Sequence, residues 1–200
     1  MAEAIDFYFD FSSPYGYLGS HGIDDLAARH GREVAWRPYL MGAAMKISGS
    51  PPLVEQPLLA EYTKHDLARS ARLAGVPFTL PEPFPVATVA ACRAYYWLEA
   101  RDPPAARELA RALYAAYFAD GRNIGAPETV LAVGAEQGLD RDALQGGLQD
   151  PAVKTHVREV TDTAIARGVF GAPFFIVDGE AFWGHDRLAQ VEHWLQSGGW

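Results

Sequence analysis

The segment from residue 5 to residue 16 constrains the fold more than any other part of the chain. Its first half alternates apolar and polar side chains with the two-residue period of a β-strand: Ile5, Phe7, Phe9 and Phe11 against Asp6, Tyr8 and Asp10. Ser13 is a good N-cap, and Pro14 suits the first position of a helix. We therefore expect a strand that passes through a short turn into a helix from Pro14 to about His30.

The two ends of the chain supply the remaining strand patterns. Residues 33–37 follow the first helix, and a strand–helix–strand opening favours a parallel pair. Near the other end, residues 174–177 and 181–183 flank Asp178-Gly179, a two-residue hairpin turn, and a last helix begins near Asp186. Because neither end has enough strands for a sheet alone, we predict one mixed sheet. Its domain comprises residues 1–45 and 150–200, and residues 46–149 form an inserted helical domain.

Composition restricts the partners of this chain. A net charge of −8 over 200 residues argues against binding nucleic acid or an anionic membrane surface. Cys92 is the only cysteine, so no disulfide can form within the chain and no metal site is expected. Cys92 is interpreted as a bystander that lies off the apolar stripe of its helix. We see no signal peptide and no membrane-spanning run, and expect a cytoplasmic protein.

The residues Ser13-Pro14-Tyr15-Gly16 have the spacing of the Cys-x-x-Cys motif in thioredoxin-like folds, but both cysteines are missing. A thiolate from another molecule, placed at a helix start, is stabilised by the exposed N–H groups and by a nearby hydroxyl. Ser13 is therefore the candidate functional residue. The alternative, that Ser13 is only an N-cap, stays open on this segment alone.

A second candidate segment, Gly171-Ala172-Pro173, leads into the third strand. Because proline cannot donate to a sheet, the preceding peptide of Ala172 is available to pair with a ligand in antiparallel fashion. In thioredoxin-like folds the corresponding proline is cis and faces the first helix. We favour this interpretation for Pro173 over a trans proline that only ends a loop.

The third candidate segment is Trp183 to Arg187, at the start of the last helix. Asp186 has the chemistry of an N-cap. The other interpretation is that His185 and Asp186 bind the charged ends of a small peptide. The sequence does not separate these two interpretations.

These residues carry a family resemblance. The chain resembles the 2-hydroxychromene-2-carboxylate isomerases, relatives of the kappa-class glutathione transferases in the DsbA-like thioredoxin superfamily. The resemblance spans essentially the whole chain and rests on residues 6–15, 62–77, 168–174 and 183–188. One departure is Leu59, which stands where family members often carry a lysine.

The resemblance implies an α/β, thioredoxin-like fold and glutathione as the cofactor. It implies that Ser13 lies near the glutathione sulfur, that Ala172, followed by Pro173, pairs with the cysteinyl backbone, and that His185 and Asp186 lie at the γ-glutamyl end. Further expected features are an aromatic acid substrate and a homodimer. The expected walls of the substrate pocket are Tyr15, Phe170 and Trp183.

The implied reaction is reversible addition of the glutathione thiolate to a conjugated carbonyl compound. Addition converts a C=C bond to a single bond, rotation follows, and elimination restores the double bond in the other geometry. 2-Hydroxychromene-2-carboxylate is the model substrate. Two alternatives stay open: a kappa-like glutathione transferase, and a thioredoxin-like binding protein without catalytic activity.

Overall fold

The strands form one mixed sheet in the computed structural model, which describes residues 3–200. The strand order is β2-β1-β3-β4, and β1 pairs in parallel with β2 and antiparallel with β3. The strands are β1 (Ile5–Phe9), β2 (Val34–Pro38), β3 (Phe174–Val177) and β4 (Glu180–Trp183). The two ends of the chain therefore complete a single sheet, and the predicted thioredoxin-like fold is confirmed.

Helices account for most of the remaining described chain. The helices are α1 (Pro14–Ser20), α2 (Ile23–Arg29), α3 (Met41–Ser48), α4 (Leu59–Ala74), α5 (Val89–Glu99), α6 (Pro103–Phe118), α7 (Pro127–Glu136), α8 (Arg141–Gln149), α9 (Pro151–Ala166) and α10 (Leu188–Ser197). Helices α3–α9 lie between β2 and β3 in the chain. The division into domains at residues 46 and 149 stays a prediction. Over residues 3–200, no helix combines the length and the apolar character needed to cross a bilayer.

Strand β1, one of the two inner strands of the sheet, is buried on both of its faces. On one face the Phe7 ring lies 5.1 Å from the ring of Trp36 and 5.3 Å from that of Phe175. On the other face Tyr8 is also buried, with its ring 6.2 Å from that of Tyr39. The alternation predicted the strand correctly, but its second face is covered rather than exposed.

The first helix is shorter than predicted, since it ends at Ser20 and a separate helix starts at Ile23. The amides of His21 and Gly22 donate to carbonyls three residues back, as in the tight last turn of many helices. The Ser20 hydroxyl also donates to the Tyr17 carbonyl at 2.7 Å and competes with the regular helix pattern. The prediction of one helix to His30 is therefore wrong. Any helix dipole at Ser13 comes from seven residues only.

Cys92 is completely buried in the core, so the expectation that it lies off the apolar stripe is wrong. Burial raises the pKa of its thiol well above the usual value. A buried thiol with a raised pKa is a poor nucleophile, which agrees with its interpretation as a bystander.

Two adjacent glycines in α8 give a matched test of the packing in the helical region. A Cβ at Gly147 would overlap the indole ring of Trp97, whereas a Cβ at Gly146 would meet no atom within 4 Å. We expect Gly147→Ala to lower the free energy of unfolding by about 1–3 kcal/mol, because the ring must move. Gly146→Ala is expected to be neutral or to raise it by up to about 1 kcal/mol. Urea unfolding measures both, and equal effects would contradict the packing described.

Candidate active site

Ser13 lies in the turn between β1 and α1 and acts as the N-cap of α1. Its hydroxyl accepts a hydrogen bond from the Gly16 amide at 3.0 Å. Its own amide donates to the Asp10 carbonyl at 2.8 Å, which closes the turn. The side chain is only 3% exposed. The hydroxyl is therefore held in one place at the helix start.

The same hydroxyl connects Ser13 to the distant Ala172. Ser13 Oγ donates to the Ala172 carbonyl oxygen at 2.9 Å, and the Ala172–Pro173 peptide bond is cis, as favoured from the sequence. Among residues 3–200, no group accepts a hydrogen bond from the Ala172 amide. An extended ligand has this N–H available for backbone pairing beside the Ser13 hydroxyl.

Two glycines allow α1 to approach its surroundings closely. A Cβ at Gly16 would collide with the hydroxyl of Tyr114, which donates to the Asp10 carbonyl at 3.0 Å. A Cβ at Gly19 would lie 3.2 Å from Cγ of Pro173. The absence of side chains here lets α1 pack against both the helical region and the proline-led strand.

Asp10 organises this region, although the sequence pattern placed it only on the polar side of β1. The side chain is buried, and its carboxylate accepts from the Ser12 amide at 2.8 Å, the Met41 amide at 2.9 Å and the Thr88 hydroxyl at 2.9 Å. Burial raises the pKa of Asp10, and these hydrogen bonds oppose the rise. Asp10 thereby links the Ser12–Ser13 turn to the starts of α3 and α5.

A polar cluster around Tyr15 flanks the start of α1. The Tyr15 ring stacks on His185 at 5.1 Å, and its hydroxyl donates to Asp66 Oδ2 at 2.6 Å. Arg69 donates to Asp66 Oδ1 at 2.9 Å and to the Tyr62 hydroxyl at 2.8 Å. Burial acts to raise the pKa of Asp66, but hydrogen bonds from Tyr15 and Arg69 outweigh it and hold the pKa below its usual value. Burial lowers the pKa of His185, which favours the neutral imidazole.

Replacing Tyr15 with phenylalanine tests the bond to Asp66. A carboxyl with a lowered folded pKa contributes stability that is complete above its unfolded pKa of about 3.9 and is lost as the pH falls through the folded value. We expect Tyr15→Phe to lower the free energy of unfolding by about 0.5–1.5 kcal/mol at pH 7 and by less at about pH 3. Urea unfolding at the two pH values measures the difference.

Tyr17→Phe is the matched control for that experiment, because the Tyr17 hydroxyl donates to the Pro77 carbonyl at 2.9 Å rather than to an acid. Its effect on stability is expected to be the same at both acidic and neutral pH. An effect of Tyr15→Phe that does not change with pH would contradict the coupling between Tyr15 and Asp66.

The remaining predicted residues lie at the surface near these elements. The rings of Phe170 and Trp183 are 4.8 Å apart, and both are about half exposed. Asp186 is exposed and pairs with Arg187 at 2.8 Å. Its side chain caps neither the short 3₁₀ turn His185–Arg187 nor α10, so its interpretation as an N-cap is wrong. Among the described residues, the Asp186 carboxylate forms its hydrogen bond with Arg187 and none with another member of the predicted set.

The site joins a buried hydroxyl, an unpaired backbone amide and an aromatic rim, which suits a thiol peptide together with an aromatic compound. No group of three or more His, Cys, Asp and Glu in the described residues could hold a metal ion.

Sequence reasoning did not assign roles to Asp10, Tyr39 or Asp66. Tyr39 donates to the Gly171 carbonyl at 2.9 Å and so holds the loop before Pro173.

The family description of a DsbA-like thioredoxin domain matches residues 4–196. A 2-hydroxychromene-2-carboxylate isomerase from Sphingobium xenophagum is 34% identical, over 98% of this chain and 99% of its own. A solved structure of a 2-hydroxychromene-2-carboxylate isomerase has a TM-score of 0.85 at 28% identity, covering 96% of this chain and 94% of that chain. Glutathione S-transferase kappa 2 from Caenorhabditis elegans is 30% identical, over 96% of this chain and 92% of its own.

The fold and the site therefore define a DsbA-like thioredoxin-domain protein without the redox cysteines. Within that class, the chain belongs to the 2-hydroxychromene-2-carboxylate isomerase family, with the kappa-class glutathione transferases as further relatives. It is an enzyme of the isomerase type.

Proposed function

We propose that this protein is a glutathione-dependent cis–trans isomerase of an aromatic α-keto or hemiketal acid such as 2-hydroxychromene-2-carboxylate. The observation that carries the proposal is the Ser13 hydroxyl, 2.9 Å from the carbonyl of a residue whose amide is unpaired. The names of the isomerase and transferase relatives support the same chemistry.

The residues of the site fit glutathione. The unpaired amide of Ala172 can donate a hydrogen bond to the backbone of the cysteinyl residue. The cis peptide bond before Pro173 lies between this amide and the start of β3. We assign His185 and Asp186 to the γ-glutamyl end of glutathione. Asp186 is exposed, so its carboxylate can release Arg187 and bind the α-amino group of glutathione instead. Bound glutathione supplies a thiolate that adds reversibly to a conjugated carbonyl compound.

Ser13 has two states in this proposal. Without a thiol, its hydroxyl proton is directed to the Ala172 carbonyl. Rotation about the Cβ–Oγ bond redirects the proton towards a neighbouring sulfur, while the oxygen continues to accept from Gly16. A hydrogen bond to the thiolate lowers the pKa of the thiol, which raises the fraction of the reactive form.

The aromatic side chains are assigned to the substrate. Phe170 and Trp183 form an edge-to-face pair that is open to solvent, and Tyr15 is fixed by His185 and Asp66. An aromatic acid has surfaces that pack well on such rings. Leu59, 42% exposed at the start of α4, provides no charge for a carboxylate, so the carboxylates need other partners.

A homodimer and a cytoplasmic location are part of the same proposal. The single buried cysteine suits a reducing compartment, because the chain needs no disulfide. Light scattering coupled to size-exclusion chromatography measures the assembly, and a monomeric mass would contradict the dimer.

Titration with glutathione while following ultraviolet thiolate absorbance tests the cofactor. We expect saturable binding and a bound thiol with a pKa below its usual value of about 8.5. Turnover of 2-hydroxychromene-2-carboxylate that requires glutathione and returns all of it as free thiol is expected of an isomerase. Absence of both binding and turnover would overturn the proposal.

A glutathione transferase is the second candidate, favoured by the 30% identity to a kappa-class relative. It has the same thiolate site but leaves glutathione in the product. Mass spectrometry of the products separates the two, because a stable conjugate identifies the transferase.

A further inference from the structure

A pocket of about 300 Å³ lies between the start of α3, α5 and α9. It contains none of the residues assigned to the glutathione site. Four of its lining residues are apolar: Leu40, Ala43, Val89 and Val157. A pocket of this size with a partly apolar lining accommodates the body of a small organic molecule.

Three cationic side chains line the same pocket: Arg93 from α5, and Lys154 and Arg158 from α9. Within the described part of the chain, none of the three forms a salt bridge, whereas most of the other Lys and Arg side chains do. Lys154 and Arg158 are four residues apart on one helix, a spacing at which like charges repel. Asp162 is the carboxylate among the lining residues, and it is exposed. The pocket therefore has an excess of positive charge in a protein of net charge −8.

Arg93 supplies a second, independent observation. Its Nε atom is buried and has no hydrogen-bond acceptor among residues 3–200. Its Nη1 atom reaches only the Leu148 carbonyl, at 3.4 Å. Buried donors of this kind are normally paired, because an unpaired one is destabilising. The guanidinium is therefore weakly held where it lies, and a shift of this side chain towards the pocket lets it donate to an acceptor on a bound molecule.

We propose that this pocket binds a small organic anion that carries one carboxylate on an apolar body. The body packs against Leu40, Val89 and Val157, and the carboxylate accepts hydrogen bonds from Arg93 and Arg158. The inference does not depend on glutathione binding, because the two sites share no residue.

Methyl NMR with benzoate as the probe tests the proposal. We expect benzoate to shift the methyl signals of Leu40, Val89 and Val157 in a saturable manner. Benzamide has the same shape without the charge and is expected to bind at least about tenfold more weakly. Absence of saturable shifts, or equal binding of the two compounds, would overturn the proposal.

Substitutions identify the cations involved. Arg158→Gln, at an exposed position, and Arg93→Gln are each expected to weaken benzoate binding about tenfold. Arg72→Gln is the matched control, since it removes one positive charge from an exposed position outside the pocket and is expected to bind as the wild type does.

Ser13→Ala is also expected to bind benzoate normally, which separates this site from the glutathione site. If Arg93→Gln and Arg158→Gln both bind as tightly as the wild type, or if Ser13→Ala abolishes the shifts, the proposal is wrong.

Discussion

Replacing Ser13 with alanine is expected to lower the rate of glutathione-dependent turnover about tenfold or more, equivalent to about 1.4 kcal/mol. The hydroxyl is the group we assign to the thiolate, and it bonds in the resting protein to Ala172 and Gly16. Its loss raises the pKa of bound glutathione, so less of the thiol is ionised at neutral pH. Steady-state kinetics together with the ultraviolet titration of the bound thiol measure both effects.

The same substitution removes the N-cap of α1, which costs about 1 kcal/mol of stability. The thiol pKa separates the two effects, because loss of a cap alone does not change it. Ser20→Ala is the matched control, since its hydroxyl bonds only to the Tyr17 carbonyl in α1. Ser13→Thr retains a hydroxyl and is expected to restore part of the rate. Unchanged kinetics in Ser13→Ala would remove Ser13 from the mechanism.

Replacing Asp10 with alanine is expected to lower the free energy of unfolding by about 3–5 kcal/mol. The substitution leaves the Ser12 amide, the Met41 amide and the Thr88 hydroxyl without their acceptor. Each buried donor left unpaired costs about 1–3 kcal/mol, and relief from burying the carboxylate offsets part of this sum. Because small proteins are stable by only about 5–15 kcal/mol, the variant is expected to be near its limit of stability.

Thr88→Val provides a graded comparison, because it removes one of the three donors and nearly preserves the shape of the side chain. Its expected cost is about 1 kcal/mol, measured by the same urea unfolding. If Asp10→Ala is no more destabilising than Thr88→Val, Asp10 does not hold the three segments together.

The parts of the fold that were predictable are those encoded by local patterns. Phe7 and Phe9 alternate with polar residues and form β1, and Asp178-Gly179 makes the hairpin between β3 and β4. Asp178 and Gly179 both have positive φ, as a two-residue hairpin turn requires. Pro173 was predictable as cis because the strand and hairpin after it place it where thioredoxin-like folds have a cis proline.

The parts that were missed depend on contacts between distant residues. Asp10 lies on the polar side of an alternating pattern, yet its partners Met41 and Thr88 are 31 and 78 residues away. Gly22, just beyond the end of α1, lies close to Leu188 at the start of α10, whose Cδ1 would be 3.0 Å from a Cβ at Gly22. The sequence pattern of the first helix contains no information about a side chain of the last helix.

The site residues divide in the same way. Ser13 and Pro173 were found because each ends or starts a regular element, where backbone groups are unpaired. Asp66 lies in the middle of α4, and its bonds to Tyr15 and Arg69 appear only after α4 has packed against α1. The i,i+3 spacing of Asp66 and Arg69 was the one local signal, and it fits an ordinary surface ion pair equally well.

The pairing of the first strand with the third has a consequence for synthesis on the ribosome. Ser13 and Ala172 are 159 residues apart, so the candidate site assembles only after residue 172 has emerged. Until then one edge of β1, with Phe7 at its centre, has no neighbouring strand. An unpaired apolar edge is prone to aggregate, so the nascent protein depends on rapid docking of the segment that contains β3 and β4, or on chaperones that shield the edge.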